Sequence, residues 1–185
     1  MRERRSALPG DERARRSREA ALRLGSLPEL TAARTVAGFS ALPTEVDPAL
    51  ALAVAARGGA AVVLPRMTTR KPRLCFHRVA SPEEMVPGPF GLLEPASHCE
   101  EIDPASIDLF LVPGLAFDAE GRRLGHGGGF YDELAEVVRR AGRAPLIAVA
   151  FDFQVVDTVP AGEGDARVDA VVTDARVLRA PGGGP

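Results

Sequence analysis

Lysine is almost absent from this chain: of its 23 basic residues only Lys71 is a lysine. With abundant Ala, Gly and Pro, this bias suggests the codon usage of a GC-rich genome. It also leaves the work of any cationic site to arginine. Cysteine is scarce as well. Cys75 and Cys99 stand apart, with no CxxC and no second pair. That excludes a disulfide framework and a zinc-finger spacing, and implies reduced thiols in a cytoplasmic protein. Long apolar runs are missing. The longest, Ala49–Ala56, falls far short of the roughly 20 residues a membrane span needs. The basic N-terminus leads into no apolar stretch and contains Glu3, Asp11, Glu12 and Glu19, which argues against a secretory or organelle leader. A one-signed charge is lacking too. A formal charge of −2 excludes a uniformly basic nucleic-acid binder and an acidic disordered tail. What remains is a cytoplasmic protein with neither nucleic acid nor membrane as partner, expected to be a monomer.

The 185 residues suit one domain, given a usual span of about 100–200 residues, and no internal repeat or linker divides them. Residues 1–25 form a basic arm, helical over Asp11–Leu24, where Ala and Arg abound without Gly or Pro. Such a charged helix reads as a solvated face. The Gly/Pro tail, 180–185, is expected to be disordered. Thr35–Ser40 is a candidate strand. Asp47-Pro48 should open a helix that runs to Arg57 and stops at Gly58-Gly59. Ala60–Leu64 follows as an apolar strand ended by Pro65, and Leu74–Val79 as another. The stretch from Glu83 to Leu93 reads as loop. Further strands fall at Ile107–Val112, Leu146–Phe151 and Val168–Thr173, with an amphipathic helix over Tyr131–Ala141. Short apolar strands alternating with helices predict a single three-layer α/β domain. Its mostly parallel, Rossmann-like sheet should be covered by helices on both faces.

The chemistry concentrates in Arg122-Arg123-Leu124-Gly125-His126-Gly127-Gly128-Gly129-Phe130-Tyr131-Asp132. Four glycines in five positions, just before a helix, let backbone N–H groups converge on an anion. The helix start adds unpaired amides and a positive dipole end. Arg122 and Arg123 bring full charge, and Asp132 could hold a divalent cation that bridges phosphates. No Lys and no Ser/Thr follows the glycines, so this is not a P-loop, and the spacing is not that of a dinucleotide fingerprint. On the glycines alone, a flexible loop remains an alternative to a phosphate site.

The run Val112-Pro113-Gly114-Leu115-Ala116-Phe117-Asp118, then Gly121 and Arg123 through Asp132, resembles the signature of the 5-formyltetrahydrofolate cyclo-ligase (5,10-methenyltetrahydrofolate synthetase) family. Collinear pieces extend the resemblance over roughly residues 3–178. They are Gly38-Phe39-Ser40 with Glu45, Val63-Leu64-Pro65-Arg66, Phe90-Gly91 with Glu94-Pro95, and Ala150-Phe151 through Gln154, Val159-Pro160, Asp165, Val168-Asp169 and Val172-Thr173.

The resemblance implies an ATP- and Mg²⁺-dependent closure of 5-formyltetrahydrofolate to 5,10-methenyltetrahydrofolate, with release of ADP and phosphate. It casts Arg123, Tyr131 and Asp132 as catalytic. ATP would be lined by Arg123, Leu124, Gly125, His126, Gly127, Gly128, Gly129, Phe130 and Tyr131. The folate would meet Glu45 and the stretch His126, Gly127, Gly128, Gly129 and Phe130. Asp132 and Asp165 would hold Mg²⁺. Many family members open with a Lys-x-x-Leu-Arg element that contacts ATP. Here either the start lies upstream or Arg2, Arg4 and Arg5 take that role. His126 sits where Tyr, Arg or Met is commoner, and Glu133 replaces the usual Arg after Tyr-Asp. The cluster Arg66, Arg70 and Lys71 could meet a folate glutamate tail. His77 and His98 read as packing or surface residues. Two other readings remain open: a sugar-phosphate isomerase or CoA-transferase-like enzyme on a similar scaffold, and a non-catalytic folate- or nucleotide-binding paralogue.

Overall fold

The computed structural model describes residues 1–69, 73–141, 144–160, 162 and 167–182. In chain order the helices are α1 (Arg2–Ser6), α2 (Gly10–Gly25), α3 (Pro28–Ala32), α4 (Ala49–Arg57) and α5 (Phe130–Ala141). The strands are β1 (Thr35–Ala37), β2 (Ala61–Met67), β3 (Leu74–Arg78), β4 (Met85–Pro87), β5 (Leu93–Pro95), β6 (Glu101–Ile102), β7 (Leu109–Val112), β8 (Ala116–Phe117), β9 (Arg123–Leu124), β10 (Leu146–Ala150), β11 (Ala170–Thr173) and β12 (Val177–Arg179). Among the described residues, eight strands form one sheet in the order β12-β11-β10-β7-β1-β2-β3-β6. The run from β11 through β2 is parallel, and β12, β3 and β6 join antiparallel at the edges.

The centre of the sheet is continuously apolar because it is covered on both faces. Side chains alternate between two cores. Leu109, Leu111, Ile147, Val149, Ala170 and Val172 meet Ala20, Ala21 and Leu24 of α2 and Ala51, Leu52 and Ala55 of α4. Phe110, Val112, Ala148, Ala150 and Val171 meet Leu134, Ala135 and Val138 of α5. Three layers and a mostly parallel sheet match the architecture expected from the sequence.

Several local expectations shift. The strand expected to end at Pro65 continues to Met67. The amides of Thr68 and Val79 bond across the β2–β3 pair, whereas Ala61 bonds toward β1. By alternation the ring nitrogen of Pro65 also faces the β1 side, beyond the end of β1 at Ala37, so no ladder bond is lost. The presumed loop after Glu83 holds a ribbon, β4 paired with β5. The basic N-terminal segment is two helices, and α2 is not merely solvated. Ser17, Ala20, Ala21 and Leu24 are buried on it, while Arg15 and Arg16 pair with Glu12 on its outer side. Among the described residues no helix is long and apolar enough to cross a membrane.

The order of the strands decides where a ligand can sit. From β1 the chain winds outward through β2, and from β7 it winds the other way through β10 and β11. The neighbours β1 and β7 therefore form a switch point. At their carboxyl ends the two connections diverge and leave a crevice, the usual ligand position in an open α/β sheet.

Candidate active site

A cleft of about 630 Å³ opens there, lined by residues that include Glu45, Pro113, Arg123, the loop Gly125–Gly129, Tyr131 and Asp132. The connection after β1 delivers Glu45, and the one after β7 delivers the rest. Pro113 and Gly114 turn the chain into the β8–β9 hairpin, whose second strand carries Arg123 to the cleft wall. A Cβ on Gly114 would sit 2.5 Å from the Phe117 ring, so any larger residue would have to displace that buried ring.

Asp118 holds the hairpin's tip. Its buried carboxylate accepts from the amides of Glu120 (3.1 Å) and Arg122 (3.0 Å), from Arg122 Nε (2.6 Å) and from the Val159 amide (2.8 Å). Burial by itself would raise this carboxyl. The Val159 and Arg122 amides and the Arg122 guanidinium outweigh it and hold the group below the usual carboxylate range. Arg122 also pairs with Glu120 at 3.0 Å. Of the two adjacent arginines expected beside the glycines, only Arg123 therefore lines the cleft.

Arg123 is nearly buried. Its Nη2 donates to Asp132 Oδ1 at 2.8 Å and its guanidinium lies 5.5 Å from the Tyr131 ring centroid. A Cβ on Gly125 would come within 2.8 Å of Arg123 Nη1, so the loop passes directly over the guanidinium. Gly127 and Gly129 adopt φ of 93° and 70°, conformations in which other residues are strained. The loop then enters α5, whose first amides lack helical partners. A glycine loop of this kind, leading into a helix start beside one guanidinium, is chemically suited to phosphate oxygens. Desolvation raises the Tyr131 phenol well above its ordinary value; the nearby Glu45 charge adds to this and Arg123 offsets part of it. The Tyr131 phenol is therefore held in its protonated form at neutral pH.

Glu45 is fixed from three sides. Its Oε2 accepts from the Leu42 amide at 3.0 Å, and its Oε1 lies 3.3 Å from Arg5 Nη1 and 3.1 Å from His126 Nε2. Arg5 is 2% exposed and also donates to the Gly114 carbonyl (3.3 Å) and to Thr44 Oγ1 (3.1 Å). It stands behind the cleft wall, tying α1 to both connections that frame the site. Arg2 and Arg4 are exposed, and Arg4 stacks on Phe153 at 4.8 Å. None of these arginines lines the cleft. Arg66 bonds the Pro95 carbonyl. Asp165, Arg70, Lys71 and residues 183–185 lie outside the described residues.

Sequence reasoning missed the buried role of Arg5, because its partners lie 40 and 109 positions away. It missed Gln154 too, which is 2% exposed and whose Nε2 donates to the Gly114 and Leu115 carbonyls. The short Asp118-to-Arg122 spacing, a side chain bonding amides two and four residues on, was the one local signal available. Away from the cleft, Glu84, His98 and Cys99 place donor atoms within 4.8 Å of one another. The Glu84 carboxylate there already caps the amides of Ala80 and Ser81.

The fold and cleft define an open α/β protein with a glycine-rich loop leading into a helix at its switch point. A model of the 5-formyltetrahydrofolate cyclo-ligase family matches residues 1–174, and the chain belongs to that family. The 5-formyltetrahydrofolate cyclo-ligase of Escherichia coli K12 is 32% identical over 179 residues, spanning 96% of this chain and 98% of its own. The mouse enzyme of the same name is 27% identical, spanning 93% of this chain and 89% of its own. The NMR structure of Aquifex aeolicus 5,10-methenyltetrahydrofolate synthetase shares 34% identity and aligns with a TM-score of 0.81, covering 96% of this chain and 87% of that one.

Proposed function

We propose that this chain closes 5-formyltetrahydrofolate to 5,10-methenyltetrahydrofolate, consuming ATP and releasing ADP and phosphate, as a monomer in the cytoplasm. The observation that carries this reading is the single cleft wall on which Glu45, Arg123 and the Gly125–Gly129 loop converge. A carboxylate suited to a pterin's N–H donors stands beside a loop suited to a triphosphate. The two free cysteines fit a reducing compartment.

An N-formyl carbonyl is a weak electrophile and its oxygen a poor leaving group. Transfer of the ATP γ-phosphoryl to that oxygen solves both: a P–O bond forms, ADP departs, and the carbon becomes iminium-like. N10 of the same folate then attacks the carbon. The C–O bond breaks with phosphate as leaving group, and the N10 proton passes to solvent. No protein nucleophile is needed, and the chain's part is to position the reactants and neutralise charge. Arg123 and the loop amides bind the phosphoryl oxygens, Glu45 fixes the pterin, and the un-ionised Tyr131 donates to charge that builds between them. The donor set also fits magnesium. Asp132 is partly exposed at the helix start and gives only Oδ1 to Arg123, leaving a hard oxygen for the ion, and the family resemblance implies Asp165, outside the described residues, as its companion. Magnesium would neutralise phosphate charge there.

The test is to mix the protein with 5-formyltetrahydrofolate, MgCl₂ and ATP and follow the near-ultraviolet absorbance of the methenyl product. Growth that requires both ATP and Mg²⁺ is expected, and no signal from the folded protein would overturn the reading. In the same assay Asp132→Asn should lower turnover by about 10–100-fold, with a stability loss of about 1 kcal/mol from removing the counter-charge of Arg123. A wild-type rate would remove Asp132 from the metal role.

A further inference from the structure

We infer that Arg73, anchored by Glu133, is a positioning residue for the phosphate end of the cleft: it locks the Gly128–Gly129 peptide with its N–H toward the ligand. This deepens the function proposed above and rests on it.

Arg73 stands just before β3 and is held on several sides. Its Nε donates to Glu133 Oε1 at 3.0 Å and to Oε2 at 3.2 Å, and its own backbone amide donates to Oε2 at 3.2 Å. Its Nη2 donates to the Gly128 carbonyl at 2.7 Å. Its Cζ lies 4.5 Å from the Phe130 ring centroid. Carboxylate, carbonyl and ring fix the guanidinium, and through it the loop.

The consequence follows from peptide geometry. The Gly128 carbonyl and the Gly129 N–H belong to one trans peptide and project to opposite sides. Gly128, Gly129 and Phe130 line the cleft and Arg73 does not. Holding the carbonyl on the Arg73 side therefore directs the Gly129 N–H into the cleft. This peptide joins two glycines, with Gly129 at φ 70°, so little steric resistance opposes its rotation. Freed from Arg73, it could turn its carbonyl oxygen toward a phosphate, replacing attraction with repulsion at the centre of the cradle. Glu133 thus has a task of its own. It does not bring positive charge to the phosphate, but its bidentate contact aims the arginine that orients the loop. The carboxylate cancels most of the Arg73 charge, so the effect is one of geometry. A lysine has no planar fork with which to contact Glu133 and Gly128 together.

The experiment measures KM for ATP, KM for the folate, and kcat in Arg73→Ala, Arg73→Lys and Glu133→Gln, beside equilibrium binding of ATP to wild type. Arg73→Ala should raise the ATP KM about tenfold and leave the folate KM within about twofold. Arg73→Lys should recover part of the loss, and Glu133→Gln should show a smaller rise of the same kind. General loss of structure would move both KM values together. If wild type binds ATP and a folded Arg73→Ala keeps its ATP KM within about twofold, this inference falls and the proposed function stands. If Arg73→Ala does not fold, wild-type ATP KM values in both other variants overturn it equally. A wild type that binds no ATP overturns both readings.

Discussion

Glu45 joins a buried ion pair to the folate-binding role proposed for it. Its charge lies 3.3 Å from Arg5, and the two side chains are 3% and 6% exposed. Glu45→Gln keeps the volume and removes the charge, leaving Arg5 buried without a counter-charge. Breaking a buried pair from one side costs about 3–5 kcal/mol, and the surviving acceptors should hold the loss near the lower limit. The folate KM should rise at least about tenfold, since a neutral amide cannot accept two charge-assisted bonds. The ATP KM should hold. Thermal melts and the absorbance assay check the two halves separately. The resemblance to the cyclo-ligase family implied Glu45 as a folate contact. Its dependence on Arg5 could not be read from the chain, because no local pattern marks which arginine of a basic segment will be buried.

At the scale of elements, the long apolar strands β7, β10 and β11 and the helices α4 and α5 are legible because their periodicity is local. The two- and three-residue strands β4, β5, β6, β8 and β9 are not, because each is defined only by its partner. The β8–β9 hairpin matters most, since it sets the position of Arg123. Its turn depends on Gly121, at φ 75°, where a Cβ would lie 2.3 Å from the Val168 carbonyl oxygen. Gly121→Ala should destabilise the protein by about 2 kcal/mol or more, measured by urea denaturation. Residual turnover should fall further than stability alone accounts for, because the hairpin and Arg123 shift together.

Across the whole molecule, the carboxyl ends of the strands are joined beneath the cleft by buried polar residues. Asp118 links the hairpin to Val159, and Gln154 holds the Gly114 turn from the connection after β10. The Asp118 carboxyl is held below the ordinary range in the folded state, so the folded protein favours its ionised form. Its stabilisation is therefore present above the ordinary carboxylate pKa of about 4 and lost as pH falls through the lowered value. Urea midpoints across acid and neutral pH should show Asp118→Asn much weaker than wild type at neutrality, with the gap closing as pH falls. A constant gap would assign the effect to shape, not charge.

The amino-acid order alone carries the layered α/β class, the principal helices and strands, and the glycine loop leading into α5. These follow from hydrophobic period and from glycine's backbone freedom, both properties of neighbours in the chain. Tertiary structure decides which of the 22 arginines reach the cleft. Arg122 turns to Asp118, Arg5 sinks behind Glu45, Arg123 reaches the cleft, and Arg73 clasps the loop from just before β3. Their partners lie on distant segments, and a long flexible side chain takes its direction from whichever carboxylate or carbonyl folding brings within reach.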